Sequence, residues 1–424
     1  VSGPDWLAAL FLFANTGTQF SLIPAALFVS LLMAWIMISP IFAILLSATD
    51  EQSCLMPTSG QSYVRVGLGL EAIKLVGLGS LIGLLLLAII LPLAIPFLAT
   101  AHRALAPHTG WILWSAVIFL ALSERPRSAP TALSAWNHIT YTLAPVLASL
   151  STLLLSGLLG LILYHRSPIP LTASILNFVP AILGLFAVPG LLMHVFAPHC
   201  PRGSDEPRPP SELSFPSGMF FMEGEPRVSR ATNGNANRGR QFFHATACGA
   251  LSGMITALIP ALTGSIGALL TQHLVGARNA RTHLVAQGVT RMMYYGGGLF
   301  LIFLPGAPRM RSSSAALLRT FYEPTSPQVW LMIAVITLSA VMAWLILPVC
   351  AKGVLRMIES RGTRSPALIA LSGILIFVVG TTSWPGLLIL LTATGIGMLP
   401  VLFQARPIQG IGVVLIPLAF ALTK

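Results

Sequence analysis

The chain has 424 residues, of which 55% are hydrophobic and only 8% charged, with a formal net charge of +12 and a mean hydropathy of +0.83. So apolar a composition excludes a soluble globular protein and describes a chain whose solvent is mostly lipid. The positive charge does not indicate a nucleic-acid surface. Arg278, Arg281, Arg309, Arg311, Lys352, Arg356, Arg361 and Arg364 sit in short segments flanking apolar runs, where cations bias a loop towards the cytoplasm.

A bilayer-spanning helix needs about 20 mostly apolar residues, because every backbone N–H and C=O must be satisfied inside the segment. In chain order, the runs 19–46, 75–100, 143–164, 171–196, 251–274, 329–349 and 368–403 reach that length, the last being long enough for two passes. The runs 111–122, 292–304 and 408–422 are shorter and read as tilted, packed against neighbours or re-entrant. Asp5 and the lack of a basic region before the first apolar run mark that run as a retained segment rather than a cleaved leader. The long polar stretch 198–243 contains PRGSDEPRPPSE and ATNGNANRGR, with too few apolar residues to bury a core. It separates a first membrane half, 1–197, from a second, 244–424. The expected architecture is an all-α, multi-pass integral protein of the cell membrane, with about ten transmembrane helices in two related halves.

A short pattern recurs in the two halves: Ala14-Asn15-Thr16-Gly17-Thr18 in the first and Ala261-Leu262-Thr263-Gly264-Ser265 in the second. Further along each half an apolar run ends in a polar tip, SATDEQS after 41–46 and PGAPRMRSSS after 299–304. The order of features is repeated, as in transporters built from inverted repeats. Gly and Pro inside an apolar segment interrupt a helix and free backbone donors and acceptors, which protein, water or solute must satisfy. A half-helix N-terminus then directs N–H groups at an anion, and unwound carbonyls with Thr or Ser hydroxyls suit sodium. Broken or re-entrant helices at these tips are therefore expected. Isolated glycines such as Gly83 and Gly373 read as close helix packing instead.

Ionisable residues within apolar runs are costly and few. Glu71 and Lys74 lie three apart and read as a mutual pair. Asp50 and Glu51, in the first polar tip, read either as neutralising a coordinating cation or as solvated loop acids. Gln19, Gln272 and His273 flank the Thr-Gly tips and offer hydrogen bonds to a polar solute, while Tyr294 and Tyr295 read as interface anchors. Cys54, Cys200, Cys248 and Cys350 lack CxxC spacing, so neither a disulfide framework nor a zinc site is indicated. There is no GxSxG, GxxxxGK[ST] or HExxH, and acids are too scarce for a catalytic carboxylate pair, so the chain is not read as an enzyme.

The stretch SATDEQSCLMPTSGQSYVRVGLGLEAIKLVGLGSLIGLL, with Gly79-Ser80-Leu81-Ile82-Gly83, resembles the first half of the large membrane subunit of tripartite tricarboxylate transporters, and more closely its short archaeal relatives of unknown function. ALSGMITALIPALTGSIGALL, LFLIFLPGAPRMRSSSAAL and TGIGMLPVLFQARPIQGIGVVLIPL carry the likeness through the second half. The resemblance implies two related halves, each giving a broken helix to a central solute site. It also implies uptake of citrate-like carboxylates driven by an ion gradient, with a solute-binding protein and a small membrane subunit as partners. Position by position, the first tip maps to 15–19, the second to 260–265 and a later one to Pro305-Gly306. This chain has Pro260-Ala261 where the family favours Pro-Gly, and Leu46-Ser47 where its own second half has Leu304-Pro305.

The functional expectation is a secondary active transporter of a small organic anion, ion-gradient driven, working by alternating access between the halves. Thr16, Gly17, Thr18, Gln19, Thr263, Gly264, Ser265, Pro305 and Gly306 are the expected substrate- and ion-binding residues. No cofactor or metal is called for beyond sodium or a proton as coupling ion, and no nucleic acid is expected. The partners are membrane lipid and the transporter's own subunits. The alternative reading is a non-transporting accessory subunit of a larger membrane complex built on a degenerate transporter scaffold.

Overall fold

The computed structural model describes residues 22–124, 135–166, 178–196, 235–259, 262–275, 280–300, 318 and 328–423. The described residues form helices joined by short connections, with no strand among them. The first apolar run is split at Ser39 into α1 (Leu22–Ile38) and α2 (Pro40–Leu45), because Pro40 supplies no N–H. The chain then leaves the helix before α3 (Met56–Arg65). Gly67, at φ 80°, ends α3: its N–H donates to Val64 O and that of Leu68 to Tyr63 O, a left-handed cap that favours glycine. The long α4 (Gly69–Leu105) follows.

Beyond it come α5 (Thr109–Ser123), α6 (Ala135–His165), α7 (Phe178–Ile182) and α8 (Val188–Phe196), the last two joined by one π turn, Leu183–Ala187. The next group comprises α9 (Asn235–Leu258), α10 (Gly264–Val275) and α11 (Ala280–Phe300). The chain closes with α12 (Gln328–Arg361), α13 (Arg364–Leu402), a 3₁₀ turn (Pro407–Ile411) and α14 (Gly412–Thr423).

Three elements are instructive beside the sequence expectation, two of them differing from it. The run 251–274 is not one span but a hairpin of two helices, α9 ending at Leu258 and α10 beginning at Gly264. Thr256 lies against Gly267, and further from the turn Ser252 hydrogen-bonds Thr271, so the two arms run in opposite directions. The run 368–403, long enough for two passes, is two helical arms, 364–382 and 384–402, meeting at Ser383, whose φ is 56° and ψ −154°. Each arm is about 28 Å long, one bilayer thickness. Finally, α9 begins at Asn235, inside the stretch expected as loop up to 243. Its first turns carry exposed Arg240 and Gln241, which extend a helix into water without cost to a core.

Among the described residues, six helices are long and apolar enough to cross a membrane. Their outward faces bear the large apolar side chains a lipid solvent selects, such as Val349 on α12 and Ile376 and Leu388 on α13, all exposed. At the centre lies α11, every residue of which from 282 to 299 is buried. A helix so enclosed needs neighbours that approach its backbone closely, and glycine permits that. A Cβ at Gly79 of α4 would lie 2.2 Å from Val285 O, and one at Gly288 of α11 would lie 2.2 Å from Val76 O. On the other side, Gly249 and Gly253 of α9 meet Ala286 O and Thr290 O at 2.6 Å. Gly83 belongs to the same packing face, whereas Gly373 meets open space. The Gly79–Gly83 motif is thus a helix-packing device.

Replacing Gly79 with Val is expected to displace α4 from α11, at the upper end of or beyond the 1–3 kcal/mol typical of overpacking. Size-exclusion analysis and melting of the detergent-purified variant check this. Gly373→Val, with nothing to strike, serves as the neutral control.

Candidate functional site

The segment 47–55 connects α2 to α3 without helical structure, yet every residue in it except Ala48 is buried. Non-helical backbone so deep must be satisfied by protein or by a solute. Much of that satisfaction is local. The Asp50 N–H donates to Ser53 Oγ at 2.9 Å, and the Ser53 N–H returns to Asp50 Oδ1 at 2.7 Å. Gln61 of α3 donates from Nε2 to Ile44 O at 3.0 Å and to Ser47 Oγ at 3.2 Å. Thr49 Oγ1 donates to Phe186 O at 3.1 Å, a carbonyl in the π turn, where the widened helix leaves such a group available. Ser47 holds φ at 51°, and its carbonyl lies 2.1 Å from where a Cβ on Gly190 would be. The π turn and Gly190 together let α7 and α8 close over the segment.

From the other side comes Arg291, at the middle of α11 and fully buried. Its Nη2 lies 2.8 Å from Asp50 Oδ2 and also donates to Ser39 Oγ, at the α1–α2 break. The guanidinium sits 5.9 Å from the Tyr295 ring centroid. Nε and Nη1 have no hydrogen-bond partner among the described residues. A guanidinium has five N–H donors and stays charged at all accessible pH values, so two idle donor positions in a dry interior are costly.

The remaining wall is the tip of the α9–α10 hairpin. Thr263 and Ser265 are buried and their hydroxyls lie 2.8 Å apart, flanking Gly264 at the first position of the twelve-residue α10. A Cβ at Gly264 would meet Gln52 Cδ at 2.7 Å and Tyr294 Cδ1 at 2.8 Å. The Gln52 carboxamide, 1% exposed, has neither its oxygen nor its nitrogen partnered among the described residues, and the buried Tyr295 hydroxyl is likewise unpartnered. The α10 N-terminus thus lies against the Gln52 amide, and the Tyr295 phenol and the Arg291 guanidinium adjoin each other on α11, beside Asp50, two residues before Gln52. All four present N–H or O–H donors, which together suit a carboxylate.

Of the residues singled out in the sequence, Thr263, Gly264 and Ser265 are brought to this place. Thr16, Gly17, Thr18, Gln19, Pro305 and Gly306 lie outside the described residues. Gln272 and His273 are two turns up α10 from the tip, and His273 Nδ1 turns back to Leu269 O at 2.9 Å, so neither belongs to the site. Tyr294 and Tyr295 are buried rather than interface anchors, since α11 is enclosed by α4 and α9. Asp50 and Glu51 are not solvated loop acids, because the segment carrying them is covered. Arg291 and Gln52 were not among the sequence candidates. The available signal was helical periodicity: His283, Gln287 and Arg291 recur every four residues and share one face of α11. That face is polar throughout, His283 Nδ1 lying 2.9 Å from Ser59 Oγ and Gln287 Nε2 donating to Ala268 O at 3.0 Å.

A family model described as "Tripartite tricarboxylate transporter TctA family" matches residues 3–412. The chain belongs to that family. No curated protein and no solved structure matches. As a member of the TctA family, the chain is a tricarboxylate-transporter component of a membrane. The match is to the family as a whole and does not single out its short archaeal branch.

Two glycine substitutions separate site from scaffold. Gly264→Val presses on the side chains of Gln52 and Tyr294 rather than on backbone, and is expected to abolish the response to citrate while the protein remains folded. Gly190→Ala presses on the Ser47 carbonyl and is expected to lower stability by about 1–3 kcal/mol. Melting curves with and without citrate check both. An unaltered citrate response in Gly264→Val would remove the hairpin tip from the site.

Proposed function

We propose that the chain is the ion-gradient-driven membrane subunit of a secondary transporter for a small organic anion of the carboxylate type. It resides in the cell membrane and works by alternating access between its two halves. A solute-binding protein and a small membrane subunit deliver the anion and complete the assembly. The observation that carries this reading is Arg291: a fully buried guanidinium from the second half, ion-paired to Asp50 of the first, with two donor positions unpartnered among the described residues. Structural ion pairs are usually completed by further hydrogen bonds, since partly satisfied buried charge is destabilising. Idle donors beside an idle amide and a helix N-terminus are what a site awaiting an anion requires. Thr263, Gly264 and Ser265 give the tip, Gln52 and Arg291 the charge and polarity, and the family supplies the expectation of tricarboxylate chemistry. The tips at 16–19 and 305–306 are proposed to complete the same site.

Because the site joins the first-half segment 47–55 to second-half helices, its opening to either side requires those elements to separate. Rocking of one half against the other does this around a fixed anion.

Arg291→Gln removes the charged donor and is expected to weaken citrate binding ten- to hundredfold, from the roughly 1.5–3 kcal/mol of a hydrogen bond to a charged group. The measurement is the citrate-induced rise in melting temperature of the purified protein, which follows binding to the folded state alone. Since the single change leaves Asp50 uncompensated, the double variant Asp50→Asn/Arg291→Gln controls for folding. Citrate binding of full strength in the double variant would contradict the assignment. A wild-type protein blind to citrate and to a panel of di- and tricarboxylates would favour the accessory-subunit reading.

A further inference from the structure

The ion pair raises a question of charge. Asp50 already occupies Arg291, so an arriving carboxylate would put two carboxylates on one guanidinium in a dry interior. Like charges that close, both desolvated, are strongly unfavourable unless one is neutralised. We propose that Asp50 is the coupling-cation site: a proton or sodium ion taken up at its carboxylate releases Arg291 to the anion, so that anion and cation bind together or not at all. This rests on the transport reading above and names the residue that performs its coupling.

Three observations support it. Asp50 has a second anchor independent of Arg291, since its Oδ1 accepts the Ser53 N–H at 2.7 Å, so it stays in place when the guanidinium turns away. Arg291 retains Ser39 as a neutral partner, and its Nε and Nη1, fully buried and unpartnered among the described residues, are available to the anion. Neutral oxygen donors suited to a sodium ion lie close by, in Ser53 Oγ, which accepts the Asp50 N–H, and in the Ser39 hydroxyl. Other charged or titratable groups around Asp50 among the described residues are Glu51 and Cys54 on its own segment and Tyr295 on α11. The α1–α2 break presents the neutral Ser39 hydroxyl to the pair. In the resting pair Asp50 acts as a tethered stand-in for the substrate carboxylate. Reciprocity then requires that the anion tighten cation binding by the factor that the cation tightens the anion's.

The test uses full-length purified protein with citrate as probe. Citrate affinity is measured against sodium at pH 8, choline holding ionic strength constant, and separately against pH without sodium. In the wild type one arm is expected to show affinity rising about tenfold per tenfold rise in the cation, which also identifies that cation. In Asp50→Asn, citrate should bind with both arms flat. Flat arms in the wild type, or an Asp50→Asn protein that keeps the wild-type slope, would overturn the inference while leaving anion binding itself standing. Absence of any citrate response in the wild type would overturn both this inference and the reading it rests on. Should Asp50→Asn fail to fold, Asp50→Glu keeps the charge but moves it. Its cation midpoint should then shift at least threefold, and an unmoved midpoint would overturn the proposal.

Discussion

Arg291 is a full positive charge held where no water solvates it, and the centre of the protein is arranged around that fact. Removing either member of a buried ion pair costs about 3–5 kcal/mol, because the other charge is left uncompensated. Asp50 must therefore reach the middle of α11, and it can do so only from a segment that is not helical. The break at Ser39, the irregular stretch 47–55, the π turn at Leu183–Ala187 and the close approach of Gly190 all serve to bring that segment inward and to satisfy its backbone. Glycines on α4, α9 and α11 then allow the surrounding helices to close within backbone contact, which keeps the pair dry.

The same constraint explains why the pair is also vulnerable. Each partner belongs to a different half of the chain, and each has a second, neutral contact: Ser53 for Asp50 and Ser39 for Arg291. An ion pair that both partners can leave without losing every contact is suited to exchange rather than to permanent bracing. The two glycine classes make the same distinction mechanically. Gly79, Gly190 and Gly288 abut backbone and admit no side chain, whereas Gly264 abuts the side chains of Gln52 and Tyr294.

Much of the fold was legible in the sequence, because apolar runs of spanning length and the Gly–Pro interruptions of the hairpin are direct consequences of lipid as solvent. The Thr263-Gly264-Ser265 tip was recognisable for the same reason: a Gly between hydroxyls inside an apolar run is a poor way to continue a helix. The chemistry was less legible. Arg291 stands at the edge of the run 292–304, which resembles an interfacial position until α11 is seen to begin at Ala280 and to be buried along its whole middle. Tyr294 and Tyr295 were misplaced with it. Asp50 left two readings open, a role beside a cation or a solvated loop, and linear sequence holds nothing to decide between them. The decision came from α8 and the π turn, 130 residues and more away, folding over the segment.

An anion that exchanges with Asp50 on Arg291, beside the α9–α10 hairpin, would be seen directly in a density map of the full-length protein in lipid nanodiscs with saturating citrate and the coupling cation. Ligand density is expected within hydrogen-bond distance of the Arg291 guanidinium and the Gln52 amide, against Gly264, with the Arg291–Asp50 pair opened. Citrate density elsewhere, with Arg291 still closed on Asp50, would contradict the exchange.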